Sequence, residues 1–181
     1  NALAKLILST ILNETIVELS FHPQERTTEI GSRYLTVYRL DFAARIQNDA
    51  GEVRQVLIEI QKAKLATDIM RFRRYLGDQY RDPNHVYEKA GKRTAVPLVT
   101  IYFLGHRLEH TQAPVIHVHR RSIDVTTGEP LEKNEPFIES LTHDSYIIQI
   151  PQLRHDHRTE LEEMLQIFDQ GQVCNDRHIL E

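Results

Sequence analysis

Cysteine is nearly absent from this chain: Cys174 stands alone among 181 residues. A single thiol excludes an intramolecular disulfide and a zinc site built from several cysteines, and it fits a reducing compartment such as the cytoplasm. Long apolar runs are absent too. No stretch reaches the roughly 18 residues needed to cross a bilayer, so no membrane partner is expected. The apolar opening, Asn1 to Leu12, lacks a basic lead and a small-residue cleavage site, which argues against a secretory signal. A chain that opens with Asn1 and runs straight into a helical pattern reads as N-terminally incomplete. Internal repeats, low-complexity tracts and an obvious linker are also missing, leaving one domain over residues 1–181.

Positive charge is in deficit. The chain has 22 Lys and Arg against 26 Asp and Glu, a net charge of −4, which argues against indiscriminate binding to nucleic acid. The deficit is not uniform. Residues 62–93 hold nine Lys or Arg and four acids, a net +5, so the remainder is at −9. Such a segment is either a solvated helix face or a surface for an acidic partner.

The patterning predicts a mixed α/β domain. Ala2 to Leu12 reads as a helix with Leu3, Leu6, Ile7 and Ile11 on one stripe. Thr15 to Phe21 reads as a short strand, and His22 to Ser32, polar and carrying Pro23 and Gly31, as a loop. Tyr34 to Gln47 and Val53 to Lys62 read as paired strands. Leu65 to Tyr80 reads as a helix with Leu65, Ile69, Phe72, Leu76 and Tyr80 on its apolar face. Ala95 to Leu104 is apolar on both faces, as in a central buried strand. Pro114 to Ser122 and Tyr146 to Ile150 read as further strands, Asp124 to Glu135 as a turn, and Thr159 to Gln170 as a closing amphipathic helix. The fold class expected is a central mixed β-sheet flanked by helices.

Chemistry is concentrated in the hairpin. A three-residue loop Asp49-Ala50-Gly51, ending in glycine, suits a type I turn followed by a left-handed residue. Paired positions then sum to 100. Leu40 meets Ile60, Phe42 meets Ile58 and Ala44 meets Val56, giving one consistent apolar face. The same register sets Asp41 opposite Glu59 and Arg39 opposite Gln61. Directly opposed carboxylates repel and need a neutralising partner. A divalent cation is one such partner. A solvated strand face, with Arg39 pairing one of the acids, is the plain alternative, and a proton shared between the acids is another.

The stretch Arg39-Leu40-Asp41-Phe42, a turn, then Ile58-Glu59-Ile60-Gln61 resembles the Asp…(Asp/Glu)-x-Lys signature of the PD-(D/E)xK nuclease superfamily. The following Arg71-Phe72-Arg73-Arg74-Tyr75 and Tyr80 are similar to its transposase, or recombination-promoting nuclease, branch, where Glu-x-Gln is common. The resemblance covers residues 34–81. It implies a restriction-endonuclease-like core and an Mg²⁺- or Mn²⁺-dependent DNA endonuclease linked to transposition or recombination. Carried over, Asp41 and Glu59 are metal ligands, the Ile60 carbonyl is a further ligand, and Gln61 positions the attacking water. Arg71, Arg74 and Tyr75 are the expected contacts to DNA, against the plainer reading of an exposed polar helix face with internal ion pairs. A homodimer is a candidate assembly. Gln61 departs from the usual lysine and carries no charge. Lys62 points to the opposite face by strand alternation, and Lys64 reaches the site only if the strand ends near Lys62. That departure keeps a second expectation open: a degenerate nuclease fold that binds nucleic acid or protein without cutting. A structural or oligomerisation domain is a third.

Other residues are read more plainly. Glu14 is the nearest candidate for an additional acid, and the expectation is that it takes no part. His117-x-His119 has zinc-ligand spacing but no evident third ligand, so a polar strand face is expected. His155-Asp156-His157 precedes the last helix, with Asp156 a plausible N-cap. Cys174 is read as incidental.

Overall fold

The computed structural model describes residues 2–30, 33–48, 51, 53–63, 68–89, 91–133, 135–153 and 159–168; over 22–30 and 33–41, and at Lys89, it describes the backbone alone. Cys174 and His155-Asp156-His157 lie outside the described residues.

Helix α1 (Ala2–Leu12) leads into three antiparallel strands, β1 (Thr15–Ile30), β2 (Arg33–Gln47) and β3 (Val53–Ala63). Helix α2 (Ile69–Arg81) follows, then a small hairpin of β4 (Val86–Lys89) and β5 (Lys92–Ala95). Strands β6 (Leu98–Leu104) and β7 (Val115–Val118), helix α3 (Pro136–Leu141), strand β8 (His143–Gln149) and helix α4 (Glu160–Leu165) complete the order. The main sheet has six strands in the order β1-β2-β3-β6-β8-β7. Strand β6 runs parallel to both β3 and β8, while the other pairs are antiparallel. The expected class, a central mixed sheet flanked by helices, is what is observed. Among the described residues no helix is long and apolar enough to cross a membrane.

The hairpin register agrees with expectation from Leu40 opposite Ile60 to Gln47 opposite Val53. Gly51 takes a φ of +80°, and its N–H donates to the Asn48 carbonyl at 2.9 Å. A left-handed residue at that position costs glycine nothing and other residues a good deal.

Alternation along β3 and β6 builds two different faces. One carries Val56, Ile58, Val99, Ile101 and Phe103 into the main core, closed by Leu8, Ile11 and Leu12 of α1 and Met164 and Leu165 of α4. The other lies under α2, where Phe72 stacks on Tyr102 with ring centroids 4.8 Å apart and packs with Ala63 and Leu104.

Four expectations are corrected. The stripe on α1 is rotated: Leu3 and Leu6 are exposed, and Leu8, Ile11 and Leu12 are buried. Strand β1 continues through the stretch read as a loop, pairing as far as Ile30 opposite Arg33; it is an edge strand, where a proline such as Pro23 is tolerated. On α2 the buried residues are Phe72 and Gln79, while Ile69 and Tyr80 are exposed. The last helix is capped by Thr159, whose hydroxyl accepts from the Glu162 N–H at 3.2 Å. Hairpin β4–β5 and helix α3 were not anticipated, and β8 begins three residues before the expected Tyr146.

Candidate metal and active sites

Glu59 sits in the middle of β3 with 1% of its surface exposed. Burying a carboxylate is costly unless something polar meets it. Gln61, two residues on and therefore on the same face, does so: its Nε2 donates to Glu59 Oε1 at 2.6 Å. Gln61 is itself buried, and among the described residues its Oε1 finds no hydrogen-bond donor. On one side the β2 backbone sets Asp41 opposite Glu59. On the other, Thr100 of β6 pairs with Glu59, and its Oγ1 donates to Ser145 Oγ of β8 at 2.8 Å.

One level of the sheet is thus polar across five strands, through His22, Asp41, Glu59, Thr100 and Ser145. Tyr102, level with Gln61, flanks this row. Burial raises the Tyr102 phenol, a hydrogen bond with Thr100 works the other way, and the Glu59 charge adds to the rise; the net shift is upward, so the phenol stays protonated.

A cavity of about 340 Å³ opens beside Glu59 and is lined also by Gln79, Asp82, Asn84 and His85. Gln79 is buried on α2, and its carbonyl lies 3.2 Å from His85 Nδ1. Asp82 Oδ1 accepts from the Asn84 N–H at 2.9 Å, closing the turn that brings His85 to the cavity. His85 Nε2 lies 3.8 Å from Asp82 Oδ2. None of these residues was singled out by the sequence pattern; a histidine and an acid packed after a helix leave no periodic signal.

The α2 residues divide. Arg71 is committed within the fold: its Nη2 donates to the Lys62 carbonyl at 2.7 Å and lies 3.6 Å from Asp68. Arg74 is exposed and Tyr75 half-buried. Arg81 pairs with Asp78 at 3.0 Å, an internal ion pair of the plainer reading.

Glu14 lies elsewhere. It pairs with Arg54 at 2.9 Å in a second cavity, of about 310 Å³, with His117, His119, Asp144 and Tyr146. Arg54 alternates with Gln55, Leu57 and Glu59, so this cavity belongs to the opposite sheet face. Here the structure supplies what the sequence did not show. Ligand atoms of His117, His119 and Asp144 all lie within 4.8 Å of one another, and the group could hold a metal ion. The antiparallel pairing of Val118 with Ser145 brings Asp144 beside His119. Burial lowers the His117 imidazole, with His119 adding to the fall and the acids Asp144 and Glu14 opposing it. No protein-family model, curated protein or solved structure matches the chain.

Proposed function

We propose that the chain is an Mg²⁺-dependent DNA endonuclease of the PD-(D/E)xK type, acting in the cytoplasm in transposition or recombination. The observation that carries this reading is the register: Asp41 is paired with Glu59, and Glu59 is buried. The donors fit the ion. A carboxylate, an amide oxygen that meets no donor among the described residues and an opposed acid on the next strand make an all-oxygen set, which suits Mg²⁺ and Mn²⁺. Asp41, Glu59 and the Ile60 carbonyl would hold it. Bound there, such an ion polarises a phosphodiester and lowers the pKa of a water.

The remaining roles belong to the chain. The Gln61 amide N–H holds the Glu59 carboxylate in one orientation. Its Oε1, which meets no donor among the described residues, is suited to accept a hydrogen bond from the attacking water. Arg74 is an exposed cation on the helix above this face and is suited to a DNA phosphate. Arg71 acts mainly by fixing α2 to the end of β3, and Tyr75 is assigned a supporting contact beside Arg74.

A second reading is a non-catalytic module of the same fold. Gln61 favours it, because an amide cannot balance developing negative charge as a lysine would. Cleavage of supercoiled plasmid separates the two. The nuclease reading expects Mg²⁺-dependent nicking that Asp41→Ala and Glu59→Ala each abolish. Cleavage that survives both substitutions rules it out, and Mg²⁺ binding with no cleavage favours the module.

A further inference from the structure

We propose that His117, His119 and Asp144 form a second metal site, one that takes a borderline divalent transition-metal ion such as Zn²⁺ and is independent of the Asp41–Glu59 centre.

The donor set decides the class of ion. Two imidazoles and one carboxylate suit Zn²⁺ and its neighbours, whereas Mg²⁺ and Ca²⁺ favour oxygen throughout. The spacing is close to what is needed. Donors at about 2.0–2.2 Å from a tetrahedral ion stand roughly 3.4 Å apart. The three ligand atoms here lie within 4.8 Å of one another, and His117 and His119 are both exposed, so small side-chain rotations close the gap.

Two donors are already held from behind. His117 stacks face to face on Tyr146, with centroids 4.3 Å apart and planes 7° from parallel. Asp144 is gripped through Oδ1 by the Arg120 N–H at 3.1 Å and by Arg120 Nε at 3.0 Å. Arg120 is fixed in turn by Glu139 Oε2 at 2.9 Å and by the Thr142 carbonyl at 3.2 Å. Metal ligands are commonly oriented by such outer partners. His119, with a side chain 70% exposed, is the ligand that moves.

Three protein ligands leave a fourth position of a tetrahedral shell open. The ligands share their cavity with Glu14 and Arg54, so that position is available to water or to a small anion beside the guanidinium. The ion would also tie β7, an edge strand of four residues, to β8.

The test is calorimetric titration of Zn²⁺ into the full chain with millimolar Mg²⁺ present. The expected result is one Zn²⁺ per chain, unaffected by Mg²⁺ and by Asp41→Ala. His119→Ala should weaken binding by more than the roughly 10–100-fold that loss of an outer-shell partner costs. Zn²⁺ should raise the Tm of the parent protein and leave that of His119→Ala unchanged. Equal Zn²⁺ affinity in the parent and in the His117→Ala/His119→Ala double variant would overturn the proposal, as would competition by Mg²⁺. Co²⁺ provides a check that needs no variant: a thiolate charge-transfer band would place the ion at Cys174 instead, and its absence with tetrahedral d–d bands supports the site described.

Discussion

Gln61 Nε2 donates to Glu59 Oε1 at 2.6 Å, and both side chains are buried. The bond links two residues of the proposed centre, and it exists only because they are two residues apart on one strand. Gln61→Leu removes it while keeping bulk. The expected cost is about 1–3 kcal/mol, the range for a buried hydrogen bond to an ionisable group. Urea denaturation measures it, and plasmid cleavage by the same variant should fall at least tenfold.

The register of Asp41 opposite Glu59 depends on the turn at Gly51. An added Cβ there meets nothing closer than Gln47 Nε2 at 3.8 Å, so space is not the obstacle. The φ of +80° is. Gly51→Ala should therefore destabilise by about 1–2 kcal/mol through backbone strain alone. Equilibrium unfolding that shows no change would place the strain elsewhere.

Arg71 and Arg74 should behave differently. Arg74→Ala removes an exposed charge, so stability should stay within about 0.5 kcal/mol while DNA affinity falls and the salt dependence shallows by about one ion. Arg71→Ala also deletes the bond to the Lys62 carbonyl and should lower stability by about 1 kcal/mol. Fluorescence anisotropy across a salt series, beside thermal melts, distinguishes the two.

Arg120→Met should be the most damaging of these changes, at about 2–4 kcal/mol, because it strips the partner from a half-buried Asp144. Burial opposes the charge on Asp144, but the Arg120 hydrogen bonds and charge outweigh it and hold the carboxyl below its usual value. A carboxyl depressed in the folded state contributes stability above its unfolded pKa, near 4, and that contribution fades as pH falls through the folded value. The gap between parent and variant should thus be widest at neutral pH and narrow below about pH 4, as followed by melts across pH.

Local pattern carried some of this structure and long-range pairing the rest. The β2–β3 hairpin was legible because Leu40, Phe42 and Ala44 match Ile60, Ile58 and Val56 around one glycine, all within 21 residues. The buried side of α1 was not, because Leu3 and Leu6 are as apolar as Leu8 and only the sheet decides which of them faces it. The extension of β1 past Phe21 was hidden for a related reason: its residues are polar, and their backbone partners lie on β2. The pairing of Asp41 with Glu59 was readable, as was the place of Gln61 on the same face as Glu59. Thr100 and Ser145 join them only through parallel pairing with β6 and β8, which leaves no mark in local sequence. Asp144 was missed as the partner of His117 and His119 because it lies 25 residues beyond His119 and meets it through the β7–β8 pairing.

On the proposed function, two acids on neighbouring strands hold one divalent cation. Electron paramagnetic resonance of Mn²⁺ titrated into the parent, Asp41→Asn and His119→Ala proteins tests it most directly. The expected result is one Mn²⁺ site that weakens more than tenfold in Asp41→Asn and is unchanged in His119→Ala. Equal Mn²⁺ affinity in the parent and Asp41→Asn proteins would contradict it.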